Sequence, residues 1–182
     1  MILGKTYYAK NRAQWRRWLE KNHAKAKDIW LVYYSKASGK PRVPYVEAVQ
    51  EALCFGWIDS IVKKVDEHGF AQRFTPRRKG SVLSQLNREH VRMLIKSKLM
   101  TQAGMDAIAH RWKDKFVFPE DIKKALQRDP LVWKNFQKFP AHYRRIRVAA
   151  IEWNRPQPAE FKKRLEHFLK LTKANKRFGM VQ

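Results

Sequence analysis

The residues best suited to bind a ligand lie in and around the stretch FTPRRKGSVLSQLN, residues 74–87. Three consecutive cations precede a predicted helix start and N-cap at Ser81: Arg77, Arg78 and Lys79. A helix N-terminus carries partial positive charge and favours acids nearby, yet no acid follows before Glu89. An anion held by guanidinium groups and free backbone N–H groups would reverse this unfavourable arrangement. The stretch therefore predicts an anion site, with side chains that simply extend into water as the alternative.

A candidate carboxylate, Asp59, follows Gly-Trp-Ile on the predicted apolar face of a hairpin. A buried carboxylate is costly without a partner, and Arg73 and Arg77 are the available cations. A structural salt bridge and a carboxylate that contacts a ligand are both open interpretations. Ser84 and Asn87 could line the same pocket or remain solvated. The candidate ligand-binding residues are Trp57, Asp59, Arg73, Arg77, Ser81, Ser84 and Asn87.

Basic and apolar residues also alternate in two C-terminal segments, 143–147 and 161–164. Lys and Arg number 40 against 16 Asp and Glu, and the net charge of +24 attracts polyanions such as nucleic acid. The excess is spread over both halves of the chain, so a general basic bias of the surface is the competing explanation. The candidate nucleic-acid-binding residues are Arg78, Lys79, Arg144, Arg145, Arg147, Lys162 and Lys163.

The sequence carries no pattern typical of an enzyme or of a cofactor site. The six histidines lack metal-ligand spacing, and no phosphate-binding glycine loop is present. Cys54 has no histidine near it in the sequence and is interpreted as a buried apolar residue. We predict no metal and no cofactor, and a binding protein rather than an enzyme. The alternative is an enzyme or small-molecule binder that takes a phosphorylated or carboxylate metabolite between Asp59, Arg77 and Asn87.

Two further features predict a cytoplasmic location. The single cysteine excludes an intramolecular disulfide, as is typical of a reducing compartment. No apolar run is long enough for a signal peptide or a membrane span.

The strands and helices predicted around these residues indicate an α+β fold. We expect a small antiparallel sheet, made of strand 29–36 and the hairpin 57–75, packed with helices. In the hairpin a four-residue turn would pair Val65 with Phe70 and Ile61 with Phe74. Hydrophobic periodicity predicts helices at 11–23, 45–55, 82–96, 102–113, 120–127, 131–138, 141–153 and 158–174. The predicted domains are an α+β domain, 1–115, and a helical C-terminal region, 116–182.

Several of these segments form a distinctive series: ALCFGWIDS (52–60), QRFTPRRKGS (72–81), SVLSQLN (81–87) and AGMDAI (103–108). Together with PEDIKKALQRDPLVWKNFQKFPAHYRR, they resemble the YdeI/OmpD-associated (OmdA-like) family, often described as bacteriocin-protection proteins. The resemblance covers nearly the whole chain but departs at Leu83 and Lys98, where the family tends to have Trp and Gly. It implies a helical C-terminal region and a role in stress or bacteriocin protection, and it names no reaction.

Overall fold

The computed structural model describes residues 3–78, 80–109 and 111–179, and the chain divides into two compact units. We call Met1–Lys113 the first unit and Asp114–Gln182 the second unit. In the part of the chain that the structure describes, no helix combines the length and the apolarity needed to cross a membrane.

In its described residues the first unit consists of a four-stranded sheet and four α-helices, which confirms the predicted α+β class. The order of strands in the sheet is β1-β2-β4-β3; β1 runs parallel to β2, and the other two pairs are antiparallel. Its elements are β1 (Thr6–Tyr8), α1 (Arg12–Asn22), β2 (Ile29–Tyr34), α2 (Tyr45–Cys54), β3 (Trp57–Asp66), β4 (Gly69–Pro76), α3 (Gln85–Lys96) and α4 (Gln102–Ile108). Single 3-10 turns cover Lys36–Ser38 and Arg111–Lys113. The three-residue β1 was not predicted, because it is too short to show a periodic pattern.

The core of the first unit lies between α1, α2 and one face of the sheet. Trp15 and Leu19 are fully buried on α1, four positions apart, as the helical period requires. They pack in one cluster with Leu31 and Phe74 of the sheet. The predicted end of α2 at Gly56 is confirmed, since this residue has a φ of +73° and its N–H donates to Leu53.

The predicted register of the β3–β4 hairpin is wrong. Asp59, not Ile61, lies opposite Phe74, and the strands are joined by two residues rather than four, with Asp66 opposite Gly69. Irregularities between Asp59 and Val62 and again beyond Lys64 insert extra residues into β3. Ile61 consequently turns toward solvent, with half of its surface exposed.

The predicted start of the third helix is also wrong. The structure begins α3 at Gln85, with Ser84 as the N-cap, whose side chain accepts a hydrogen bond from the Asn87 N–H. Ser81 instead closes a turn, in which its N–H donates to Arg78 across 3.1 Å and Gly80 has a φ of +79°. The local reason is that Ser84, rather than Ser81, has the extended backbone of an N-cap.

The second unit is helical, which confirms the predicted C-terminal region. Its helices are α5 (Glu120–Gln127), α6 (Pro130–Lys138), α7 (Ala141–Glu152) and α8 (Pro158–Lys173). Asp129 caps α6 and accepts from the Leu131 N–H at 2.9 Å, with Pro130 at the first helical position. Phe136, Tyr143 and Phe168 are buried in its core cluster.

Candidate anion-binding groove

An open groove of about 640 Å³ lies on one face of the sheet in the first unit. Strand alternation places Ile58 and Ser60 on this face, while Trp57 and Asp59 point to the opposite, helix-covered face. The groove therefore uses the side of β3 and β4 that α1 and α2 leave uncovered. We call it the basic groove; its lining residues are Lys27, Ile58, Ser60, Arg73, Thr75, Pro76, Arg78 and Ser81.

The basic groove has an excess of positive charge. Arg73 donates to Asp28 from Nη2 at 2.6 Å and from Nε at 3.0 Å, so its charge is balanced within the protein. Lys27 and Arg78 are both exposed, and neither forms an ion pair in the part of the chain that the structure describes. Two uncompensated cations thus face the same open space.

Hydroxyl groups provide the other polar atoms of the groove. Ser81 Oγ is buried and has no hydrogen-bond partner among the described residues. Ser60 Oγ donates to the Arg73 carbonyl at 3.3 Å and retains its own lone pairs, while Thr75 is half-buried. Serine and threonine hydroxyls commonly contact phosphate oxygens beside Lys and Arg.

Two predicted ligand-binding residues, Trp57 and Asp59, are engaged on the other face of the sheet. Trp57 is 1% exposed, and its indole N–H donates to the His23 carbonyl at 3.2 Å. Asp59 accepts a 2.7 Å hydrogen bond from the Tyr45 hydroxyl. Burial, together with this hydrogen bond, raises the pKa of Tyr45 above its usual value. Of the two cations considered as partners of Asp59, Arg73 lies on the opposite face of the sheet and pairs with Asp28.

Arg77, Ser84 and Asn87 make contacts within the protein at the loop before α3 and at the start of that helix. Arg77 is buried; its backbone N–H donates to Gly56 at 2.8 Å, and its guanidinium donates to the Val82 carbonyl. Ser84 is the N-cap of α3, and its hydroxyl accepts from the Asn87 backbone N–H at 3.2 Å. Of the seven predicted residues, only Arg73 and Ser81 line the basic groove.

Sequence reasoning missed Lys27, Ser60 and Thr75. Ser60 and Thr75 could have been found from strand alternation. Thr75 is next to the buried Phe74, and Ser60 lies three residues after the buried Trp57, so both face away from the core. Lys27 carried no such signal, because it lies in a turn between α1 and β2 that approaches the groove only in three dimensions.

The predicted nucleic-acid-binding residues divide between the two units. Arg78 lines the basic groove, whereas Lys79 lies outside the described residues. In the second unit, the Arg144 guanidinium lies 5.5 Å from the Phe136 ring centroid and that of Arg147 lies 4.9 Å from Phe178. These two arginines therefore cover aromatic rings of their own unit. Arg145 belongs to α7, and exposed Lys162 and Lys163 to α8.

Cys54 and Glu51 are ionisable groups in the interior of the first unit. Cys54 is fully buried, and burial raises the pKa of its thiol to about 11. Glu51, 1% exposed, accepts from Arg12 at 2.5 Å and from Arg16 at 2.8 Å. Across the described residues, no group of three or more His, Cys, Asp and Glu side chains could hold a metal ion.

Two family models match this chain, one in each unit. Residues 7–107 match a family described as a domain of unknown function (DUF8412), and this match covers more than half of the chain, which therefore belongs to that family. Residues 115–175 match the family described as "Bacteriocin-protection, YdeI or OmpD-Associated". The predicted resemblance is confirmed in this C-terminal region, while ALCFGWIDS and QRFTPRRKGS fall within the first match. No curated protein and no solved structure matches the chain.

Proposed function

We propose that this protein binds the phosphate groups of nucleic acid, and that the basic groove is its main contact surface. The observation that carries the proposal is the collection of Lys27, Arg73 and Arg78 around one open space. Only Arg73 among them has an acidic partner, Asp28. A phosphate in the groove would supply the counter-charge that the described residues do not.

The remaining polar groups of the groove suit a phosphate as well. The buried Ser81 hydroxyl has no hydrogen-bond partner among the described residues, and an anionic oxygen that reached it would satisfy this donor. Lys and Arg release condensed counterions when they neutralise phosphates, which supplies most of the sequence-independent affinity. The net charge of +24 also raises the local concentration of any polyanion around the protein.

The shape of the groove favours a chain of phosphates over a small metabolite. Metabolite sites enclose most of their ligand's surface, whereas this groove of about 640 Å³ is open and both Lys27 and Arg78 are exposed. A pocket around Asp59, Arg77 and Asn87 has less support, because Asp59 is bonded to Tyr45 and Arg77 is buried. We propose binding without catalysis.

A role in stress or bacteriocin protection stays a prediction that rests on the family description alone. It is tested by the survival of cells with and without the gene after exposure to a bacteriocin. Equal survival of the two strains would contradict it without bearing on nucleic-acid binding.

The direct test is fluorescence anisotropy with labelled single-stranded DNA, duplex DNA and RNA of equal length. We expect all three to bind at low salt, with a Kd of roughly 10⁻⁴–10⁻⁶ M at physiological salt. Adenosine monophosphate and inorganic phosphate serve as competitors and should displace the nucleic acids only weakly, since each offers one phosphate. The absence of any anisotropy change at low salt would contradict the proposal. Displacement by micromolar adenosine monophosphate would instead indicate a metabolite site.

A further inference from the structure

We infer a second binding site, in the second unit, for a small carboxylate that carries an apolar body. The site is a half-open cavity of about 320 Å³ formed by residues of α7, α8 and the segment that follows α8. Its apolar lining includes Ile151, Phe168 and Phe178, and its cations are Arg147, Lys163 and Arg164. This inference does not depend on the proposed function, because all its residues lie in the second unit.

The apolar side of the cavity is fixed in place. Phe168 is 1% exposed and belongs to the core cluster of the unit together with Ile151. The Phe178 ring centroid lies 6.3 Å from that of Phe168, and its backbone N–H donates to the Tyr143 hydroxyl at 3.1 Å. Phe168 and Ile151 are already buried, so a ligand body would cover mainly the half-buried Phe178, which these contacts hold.

Arg147 is the cation best placed to hold an anionic head group. Its Nε is buried and has no hydrogen-bond partner among the described residues. Its guanidinium lies 4.9 Å from the Phe178 ring centroid, so charge and apolar surface are adjacent. Burial lowers the pKa of Arg147 from its usual value, because the charged guanidinium has lost part of its hydration. A carboxylate would restore hydrogen bonds that water no longer provides.

The cations of the lining outnumber its acids, so the site can accept one further anionic group. Among the described residues, Glu160 is the single acid of the lining, and it accepts from Arg164 Nε at 2.6 Å, so these two charges compensate each other. Arg147 and Lys163 form no ion pair in the part of the chain that the structure describes. An anion between these two cations would face no uncompensated acid.

The volume of the cavity indicates which class of ligand it can hold. A volume of about 320 Å³ lies at the lower end of the roughly 300–1,000 Å³ of small-molecule sites. Such a cavity suits one ring or a short aliphatic chain with a carboxylate.

Isothermal titration of the full-length protein with octanoate and its neutral analogue octanamide tests this inference. We expect octanoate to bind roughly tenfold to a hundredfold more tightly, the contribution of a charge-assisted hydrogen bond. Arg147→Met should remove this preference. Lys162→Met is the matched control, because it removes the same charge from the neighbour of Lys163 without altering the lining, and it should leave octanoate affinity unchanged.

A second variant keeps the test decisive if Arg147→Met fails to fold. Lys163 is exposed, so Lys163→Met should leave the fold intact and weaken octanoate binding several-fold. Equal affinity for octanoate and octanamide, the absence of binding heat with both, or equal weakening by Lys162→Met and Lys163→Met would each overturn the inference.

Discussion

Arg73 forms an ion pair with Asp28, at 2.6 Å between Nη2 and Oδ2, on the face of the sheet that carries the basic groove. Asp28 follows Lys27 in the sequence, so the acidic partner of Arg73 is adjacent to an exposed cation of the same groove. Asp28 therefore lowers the positive charge that an incoming phosphate meets. The same pair leaves Asp59, the acid expected from the sequence, to accept from Tyr45 instead.

Substitution of Asp28 should strengthen the binding of nucleic acid. Asp28→Asn removes the carboxylate and frees the charge of Arg73, so we expect affinity for single-stranded DNA to rise about twofold to fivefold at low salt. The free energy of unfolding should change by no more than about 1 kcal/mol, because both partners are about one-third exposed. Anisotropy and urea titrations measure the two quantities. Weaker DNA binding by the variant would show that Asp28 supports the site rather than opposing it.

Substitution of Glu51 should destabilise the first unit much more than substitution of Glu20. Glu51 is 1% exposed and accepts from Arg12 and Arg16, so Glu51→Gln removes the buried charge partner of Arg12 and leaves Arg16 with the exposed Glu20. We expect a loss of about 3 kcal/mol in the free energy of unfolding. Glu20 also pairs with Arg16 but is 48% exposed, and Glu20→Gln should cost less than about 0.5 kcal/mol. Similar urea midpoints for the two variants would contradict the assigned role of Glu51.

The close approach of α4 to α2 depends on Gly104. A Cβ at this position would lie 2.2 Å from the Cys54 carbonyl oxygen, a backbone atom that a rotamer change cannot move. Gly104→Ala should therefore destabilise the protein by about 1–3 kcal/mol or more. Gln102→Ala, at an exposed position of the same helix, should cost only a few tenths of a kcal/mol through its lost contact with Asp106. Thermal or urea unfolding distinguishes the two, and equal stability of both variants would contradict the packing described.

The thiol of Cys54 should be inert in the folded protein. Its pKa of about 11 leaves about one molecule in a thousand as thiolate at pH 8, and its side chain is fully buried. We expect labelling by a thiol reagent at pH 8 only after unfolding in urea. Because an unfolded thiol ionises near pH 8.5, the contribution of this group to stability falls as the pH rises above about 8.5. Fast labelling without denaturant would contradict this placement and would reopen a nucleophilic role.

Local sequence signals predicted the helices well and the sheet register poorly. The Asp129-Pro130 pair marked the start of α6, since an N-cap and a proline at the first helical position act within one turn. The hairpin register depended on two irregularities in β3 that no alternation pattern reveals, so Ile61 was assigned to the wrong face. The basic groove needs Lys27 and Arg78 from distant segments, and only the fold brings them together.

The measurement that tests the basic groove most directly is the salt dependence of DNA affinity in two double variants. Lys27→Ala/Arg78→Ala should reduce the slope of log K against log salt by about 2, since each lost phosphate contact reduces it by about 1. Lys162→Ala/Lys163→Ala removes the same charge from α8 and should leave the slope nearly unchanged. The opposite ranking, or equal slopes for the two variants, would contradict the groove as the main contact surface.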